Sequence, residues 1–312
     1  IKKRRILEFK AVEYLRTGNE SSFGKFKPTP FGLYWNSSNY FVNGIRQTNS
    51  QGYRCSNEII YGEKNGSFRI LVIGSSTVYA DHFSLDAKTA WPYQLEVVMK
   101  SYGFSDIEVI NAGLNYATSA EVLSHIVFHG IHLKPDLVIL DGPGNDFLPI
   151  ANSDFTRDYS QTRTSLNLLP RRGDKLLLHL HIFRLLYLYL VSTKKLIQME
   201  PNRYVQENTN ANINLINSEP KIFEDNVTTL TKLLKDSNIP LLVIDFLRPS
   251  IARMSALHPV ISTGLEVFDR RTSDTFARIS ENFNVWHLKT NDFCFPDEAF
   301  HDSCHLKIEF EA

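Results

Sequence analysis

Serine, aspartate and histidine, the residue types that together activate a nucleophile, stand at two distant places in the sequence. Ser76 follows closely on the short apolar run Phe68–Gly74, and Asp302 lies three residues before His305 near the other end. A carboxylate at this spacing can reach Nδ1 of the histidine while Nε2 points outward, as a general base requires. A serine that such a histidine deprotonates is a nucleophile. Ser76, Asp302 and His305 are therefore candidate catalytic residues.

Other chemistries for the segment around Ser76 have weaker support. A serine at the start of a helix commonly caps it, so this residue alone does not define a site. The phosphate-binding pattern GxxxxGK[ST] and the dinucleotide pattern GxGxxG are both absent from the sequence. A nucleotide-binding protein is accordingly disfavoured.

Two further segments could offer hydrogen-bond donors to a ligand. Gly113 ends the segment 111–113 (NAG) after a predicted strand, and glycine lets a backbone N–H approach a ligand closely. Asn145 lies in the segment 141–146 (DGPGND), and its amide donates a hydrogen bond without carrying charge. Each segment alone is also what an ordinary turn needs. Gly113 and Asn145 are candidate donors because they follow strands, where sites form in α/β sheets.

The elements that must position these residues alternate between strands and helices. Such alternation predicts an α/β protein, with a central parallel sheet between two layers of helices. The predicted strands are 68–74, 107–111, 137–141, 241–246 and 285–288, and the predicted helices are 89–101, 119–132, 222–237 and 265–282.

One main domain over 68–312 is the economical interpretation, with an N-terminal extension over 1–67 packed on it. The extension begins with an amphipathic pattern over 1–18, which predicts a helix docked on the core. A polar, irregular insertion over about 151–220 interrupts the alternation and predicts a lid-like region. Within it the Leu-rich segment 176–191 is shorter than the roughly 20 residues of a membrane-spanning helix. It predicts a packed or lid helix; the alternative is a surface for a partner or a membrane.

The composition excludes some classes of protein and leaves others open. Lys plus Arg equals Asp plus Glu at 34 each, so no excess of positive charge indicates nucleic-acid binding. No pair of cysteines has metal-type spacing, and three cysteines leave at least one unpaired. A bridge between Cys294 and Cys304 stays open, as does the oligomeric state. The sequence predicts no metal and no organic cofactor.

In their order along the chain, these segments resemble the SGNH hydrolases, also called GDSL-like esterases, a family with Ser, Gly, Asn and His blocks. The stretch 70–80 (ILVIGSSTVYA) is similar to a subgroup whose first block reads G-G-S-T, and the resemblance covers roughly 68–150 and 240–312. The chain departs from the family where Gly142 lies three residues before Asn145 instead of two. Residues that match family positions are Ser76 (nucleophile), Gly113 and Asn145 (oxyanion hole), and Asp302 and His305 (final block).

The resemblance implies a flavodoxin-like three-layer α/β/α sandwich and a serine esterase working through an acyl-enzyme. Ser76 N–H, Gly113 N–H and the Asn145 amide would hold the oxyanion. The G-G-S-T subgroup further implies a small acyl ester, an O-acetyl group on a carbohydrate, and a bacterial cell-envelope location. Two alternatives keep the same scaffold: an O-acyltransferase with the same triad, and a catalytically silent glycan-binding protein. The expected partner is a small ester or an acylated glycan.

Overall fold

The strands form two short hairpins and one central sheet. The computed structural model describes residues 25–29, 32–55, 57–62, 64, 66–81, 85–142, 144–151, 180–183, 185–186, 210–289 and 295–307. The strands are β1 (Phe26–Thr29), β2 (Gly32–Asn36), β3 (Phe41–Val42), β4 (Ile45–Arg46), β5 (Phe68–Gly74), β6 (Ile107–Gly113), β7 (Leu137–Asp141), β8 (Leu241–Ile244) and β9 (Trp286–Leu288).

The central sheet contains β5 to β9 in the order β6-β5-β7-β8-β9, and every neighbouring pair is parallel. The order reverses at β5, because β6 lies on one side of β5 and β7 on the other. A crevice for a ligand forms at such a reversal, beyond the carboxyl ends of the strands. Ser76 comes directly after β5 and therefore lies at this point.

Helices lie on both faces of the sheet, as predicted. They are α1 (Ser76–Tyr79), α2 (Trp91–Ser101), α3 (Ser119–Phe128), α4 (Phe147–Ala151), α5 (Ala211–Asn217), α6 (Lys221–Asp236), α7 (Ile251–Leu257) and α8 (Ser262–Phe283). Because side chains alternate across a strand, β5 supplies both layers of core. Leu71 and Ile73 pack with residues of α3, α6 and α8, whereas Ile70 and Val72 pack with residues of α2. The three-layer α/β/α prediction is confirmed.

Among the element boundaries that differ from the prediction, two have identifiable reasons. Strand β6 continues to Gly113, because Ala112 and Gly113 stay in register with Ile73 and Gly74 of β5. The helix predicted over 119–132 ends at Phe128 and gives way to a 3₁₀ turn, Gly130–Leu133. That turn ends at Lys134 in the left-handed region (φ 51°).

The region before β5 contacts the carboxyl ends of β5 and β6. Tyr34 Oη donates to the carbonyl of Asn115 (2.7 Å), and Asn36 Nδ2 donates to the carbonyl of Gly113 (3.0 Å). Arg54, which is buried, donates its backbone N–H to Asn111 O and its guanidinium to Ala80 O. These bonds attach residues 25–55 to the loops that surround Ser76. The helix predicted over 1–18 lies outside the described residues.

The Leu-rich segment is exposed in its described part. Residues 180–183 and 185–186 are the only part of 176–191 that the structure describes. Their large apolar side chains, Leu180, Ile182, Leu185 and Leu186, are each more than half exposed. This exposure does not favour a packed helix; a lid helix or a surface for a partner or a membrane stays a prediction. Within the described ranges, no helix combines the length and hydropathy needed to cross a membrane.

Candidate active site

The turn between β5 and α1 presents Ser76 at the edge of the sheet. A Cβ on Gly74 would lie 2.6 Å from Val78 Cγ2 and 2.9 Å from Asp141 O, so only glycine fits there. Ser76 is the first residue of α1, where backbone N–H groups have no acceptor within the helix. In the described part of the chain, no hydrogen bond uses the Ser76 N–H. The turn therefore offers both a hydroxyl and a backbone donor.

His305 is held by a turn built around Asp302. The backbone N–H groups of Cys304 and His305 both donate to Asp302 Oδ1, each at 2.9 Å. The other carboxylate oxygen, Oδ2, accepts from His305 Nδ1 at 2.7 Å. Because one oxygen secures the backbone and the other orients the ring, the position of the imidazole is determined within four residues.

Ser76 and His305 meet although they are far apart in sequence. His305 Nε2 lies 2.9 Å from Ser76 Oγ across 229 residues of chain. With Nδ1 donating to Asp302, the neutral ring has its lone pair on Nε2 and can accept the serine proton. The three predicted residues therefore form the linear arrangement Asp302–His305–Ser76. Their catalytic roles remain a prediction.

Asp302 and His305 each stabilise the charged form of the other. Burial lowers the pKa of His305, but hydrogen bonds with Asp302 and Cys304 outweigh burial and raise it above its ordinary value. Burial also acts on Asp302 to raise its pKa, yet the bonds from His305 and Cys304 hold that pKa well below the ordinary value. Asp302 is therefore ionised at neutral pH and stabilises a positive charge on His305.

The structure does not place Gly113 as the sequence predicted. Its N–H donates to the side-chain oxygen of Asn111 (2.9 Å) in a buried position, so it is already engaged. A Cβ at position 113 would lie only 2.2 Å from the backbone N of Tyr79. Glycine is needed here because α1 packs directly on β6, not because its N–H faces a ligand. The expectation that Gly113 is an oxyanion donor is corrected.

Asn145 lies in a loop that neighbouring residues hold firmly. One N–H of its amide donates to Ala117 O (3.1 Å), and the amide carries a second N–H. The next residue, Asp146, is fully buried and accepts from both the N–H and the hydroxyl of Ser119. Gly142 still pairs with β8, and the 3₁₀ turn Gly144–Asp146 accommodates the extra residue of this block.

Asp141 and Thr77 are site residues that sequence reasoning missed. Asp141 is buried at the end of β7 and accepts a hydrogen bond from Thr77 Oγ1, next to the nucleophile. Burial raises the pKa of Asp141 to about 7, although Thr77 and His305 both act to lower it. The sequence signal is a carboxylate at the end of an otherwise apolar strand.

Cys304 is a third residue that sequence reasoning did not assign to the site. It is a free thiol, and Cys294, with which the sequence left a bridge open, lies outside the described residues. Its Sγ lies 3.6 Å from His305 Nδ1. Ligand-type atoms of Asp302, Cys304 and His305 lie within 4.8 Å of one another.

Comparison with known proteins finds similarity only among solved structures. No model of a protein family and no curated protein matches the sequence. TesA is 16% identical over 78% of this chain and 91% of its own, with a TM-score of 0.43. The SGNH-hydrolase family esterase AlinE4 is 18% identical over 73% of this chain and 77% of its own (TM-score 0.39). A putative lipolytic protein of the G-D-S-L family from Desulfitobacterium hafniense is 11% identical over 78% and 93% (TM-score 0.43).

Other structural neighbours at low sequence identity include a GDSL-like lipase from Bacteroides thetaiotaomicron and a putative acylhydrolase from Bacteroides fragilis. The resemblance to the G-G-S-T subgroup stays a prediction. What this chain does is therefore inferred from its own side chains.

Proposed function

We propose that the protein is an ester hydrolase of the SGNH type, with Ser76 as its nucleophile. The observation that carries this proposal is the hydrogen-bonded line from Asp302 through His305 to Ser76, with the Ser76 Oγ to His305 Nε2 distance at 2.9 Å. A serine that merely capped a helix would have no need of a histidine and a carboxylate from the other end of the chain.

The chemistry divides into two steps that use the same histidine. His305 Nε2 takes the Ser76 proton while Oγ attacks the ester carbonyl carbon, giving a tetrahedral oxyanion and an imidazolium. The imidazolium returns that proton to the departing alcohol, and the acyl group stays on Ser76. Water, deprotonated by His305, then releases the acid and restores the serine. Asp302 stays ionised throughout and stabilises the positive ring.

Two donors are proposed for the oxyanion. The Ser76 N–H is unused among the described residues, and the Asn145 amide keeps a second N–H after donating to Ala117 O. One donor of this kind is worth roughly 3–4 kcal/mol of transition-state stabilisation. Gly113 is not part of this set, because its N–H already donates to Asn111.

An acetylated carbohydrate is the substrate class that we propose. A cavity of about 170 Å³ lies beside the carboxyl end of β8. Arg248 bonds Asp269 there and stacks on the Phe246 ring, 4.7 Å from its centre. Arg248 Nη2 and Asp269 Oδ1 are buried and have no partner in the described part of the chain. Both residues line the cavity, and sugar hydroxyls, which donate and accept, could bind such a pair of charged groups.

The cavity lies close to the proposed oxyanion site. The Phe246 ring leaves no room for a side chain on Gly144, where a Cβ would lie 2.4 Å from the ring. Gly144 immediately precedes Asn145, so the aromatic wall of the cavity supports the Asn145 loop. A sugar bound there could place an O-acetyl group towards Ser76. The acetyl preference itself is motivated by the resemblance of the first block to the G-G-S-T subgroup.

The central test measures hydrolysis of p-nitrophenyl acetate and butyrate by the wild type and by Ser76→Ala. Turnover that favours acetate and is abolished in the variant supports the proposal. A fluorophosphonate probe should label the wild type on Ser76, which mass spectrometry of the peptide establishes. Absence of both turnover and labelling would contradict catalysis and favour a silent binding protein.

The carbohydrate proposal is tested with an O-acetylated methyl glycoside that keeps free hydroxyls. Asp269→Asn should raise KM for this substrate at least about fivefold more than for p-nitrophenyl acetate, because it weakens a bond to a hydroxyl. Equal effects on both substrates would mean that the cavity does not bind the sugar.

A further inference from the structure

Tyr116 has a backbone conformation that a bulky residue rarely adopts. Its φ is 65°, in the left-handed region, which a residue with a large side chain enters only when its surroundings enforce it. The residue is 46% exposed, whereas Leu114, Asn115 and Ala117 are buried. The loop after β6 therefore turns one aromatic residue towards solvent and its other residues towards the protein.

The hydrogen bonds of this loop determine where Tyr116 lies. The Leu114 N–H donates to Gly74 O (3.1 Å), in the turn that carries the proposed nucleophile. On the other side, Ala117 O accepts from the Asn145 amide at 3.1 Å. The backbone of Tyr116 therefore lies between the nucleophile turn and the Asn145 loop, which are the two parts of the site that would hold the oxyanion.

Bonds on both sides of Tyr116 maintain its strained conformation. Asn115 O accepts from Tyr34 Oη (2.7 Å), and Asn115 Nδ2 donates to Asp81 Oδ1 (3.2 Å). The Ala117 N–H closes the turn on the carbonyl three residues before it (3.0 Å). Strain that the surrounding structure maintains in this way is common where a side chain meets a ligand.

The histidine lies on the opposite side of the nucleophile from Tyr116. Arg253 Nη2 donates to Phe300 O (2.6 Å), which attaches the segment before His305 to α7. Helix α7 follows β8, and β8 lies on one side of β5, whereas Tyr116 follows β6 on the other side. Because His305 must protonate the departing alcohol, the alcohol part of an ester occupies the β8 side.

We propose that the Tyr116 ring closes the acyl side of the site and restricts it to short acyl groups. The three substituents of the attacked carbon need separate places. The oxyanion faces the Ser76 N–H and the Asn145 amide, and the alkoxy group faces His305. The acyl chain takes the remaining direction, towards β6 and Tyr116. This inference rests on the proposed esterase function and gives the acetyl preference a structural cause.

The first test compares kcat/KM for p-nitrophenyl acetate and butyrate in the wild type and in Tyr116→Gly. Glycine adopts positive φ without strain, so the loop should persist while the ring is removed. The ratio of butyrate to acetate should rise at least about tenfold, since a closed pocket discriminates by roughly that factor per methylene. Tyr116→Asn should give the same rise, because asparagine also tolerates this φ and lacks the ring. Tyr116→Phe keeps the ring and should keep the wild-type ratio.

Lys134→Gly is the matched control for the change of backbone. Lys134 also has positive φ (51°), but it precedes β7 at the amino ends of the strands, far from the nucleophile turn. Its ratio should equal that of the wild type. An unchanged ratio in both Tyr116→Gly and Tyr116→Asn would overturn this inference and leave the esterase proposal intact. Absence of both turnover and fluorophosphonate labelling in the wild type would overturn the two together.

The second test isolates formation of the covalent bond to Ser76 from later steps. Ethyl p-nitrophenyl methylphosphonate and its hexylphosphonate analogue bond to the serine through phosphorus with loss of p-nitrophenolate, and their alkyl groups stand in for the acyl chain. Intact-protein mass spectrometry gives the labelling rates. The ratio of hexyl to methyl should rise at least about tenfold in Tyr116→Gly and stay unchanged in Tyr116→Phe and Lys134→Gly. An equal rise in Tyr116→Phe, or none in Tyr116→Gly, would refute the role of the ring.

Discussion

Two clusters of serine, aspartate and histidine lie among the described residues, and their hydrogen bonds are ordered differently. The first is Ser76, His305 and Asp302. The second lies at the carboxyl ends of β8 and β9, where Ser273 Oγ donates to Asp245 Oδ2 and His287 Nε2 bonds Asp245 Oδ1, both at 2.8 Å. The residue types are the same, so any difference in chemistry between the clusters must come from the order of their hydrogen bonds and from their exposure to solvent.

The order of the hydrogen bonds separates the clusters. In the first, the histidine lies in the middle and can pass a proton between serine and solvent-facing substrate. In the second, Asp245 lies in the middle, so Ser273 donates to a carboxylate and never faces an imidazole lone pair. The His287 and Asp245 side chains are 3% and 5% exposed, which also closes them to substrate. The histidine-centred line therefore fits the proposed proton transfer, whereas the buried, aspartate-centred one fits a structural role.

Loss of the two serines gives the largest expected contrast. Ser76→Ala should lower kcat for p-nitrophenyl acetate by about 10⁴–10⁶-fold, because the nucleophile itself is removed. Ser273→Ala should change kcat less than about twofold, since it removes only a bond to a buried carboxylate. Both values come from steady-state kinetics. Comparable losses in the two variants would abolish the distinction between the clusters.

Replacing the aspartate of the first cluster should give the second-largest fall in kcat. Asp302→Asn should lower kcat about 10⁴-fold near neutral pH, because the amide favours the wrong tautomer of His305. Asp302 also raises the pKa of His305, and activity requires the neutral ring. The acid limb of kcat/KM should therefore move to lower pH in Asp302→Asn. An unmoved or upward-shifted limb in the pH–rate profile would show that Asp302 does not act on His305.

Asn145→Ala tests whether the first cluster has an amide donor that the second lacks. We expect kcat to fall by about 10²–10³-fold with little change in KM, because the bond forms fully only to the oxyanion. Asn145→Asp should be at least as damaging, since it places negative charge beside the oxyanion. A change confined to KM would assign Asn145 to substrate binding.

The smallest expected effect is structural and belongs to the second cluster. Asp245→Asn keeps the volume but weakens the bonds with Ser273 and His287, so the free energy of unfolding should fall by about 1–3 kcal/mol. Urea denaturation measures this change, and the kcat of the variant is the internal control. A large loss of kcat without loss of stability would show that the second cluster contributes to catalysis.

The comparison also shows how far sequence reasoning reaches. Strands ending at Gly74 and Asp141 were predicted correctly because buried parallel strands have continuous apolar runs bounded by turn residues. The segment ending at Gly113 was misjudged, because a glycine that admits a neighbouring backbone has the same sequence pattern as one that offers its N–H. The part played by Asp141 was missed for a similar reason, since its partner Thr77 lies on another element.

The sequence by itself determined the alternation of strands and helices and the turn around His305. That turn depends on contacts between residues at most three apart, and such contacts follow from local spacing. Only the tertiary structure decided that His305 meets Ser76 across 229 residues, while His287 meets a carboxylate instead of a serine. It also decided that α1 packs on Gly113 and leaves its N–H to Asn111. The physical reason is that parallel strands bring distant carboxyl ends to one edge, where packing sets which groups face each other.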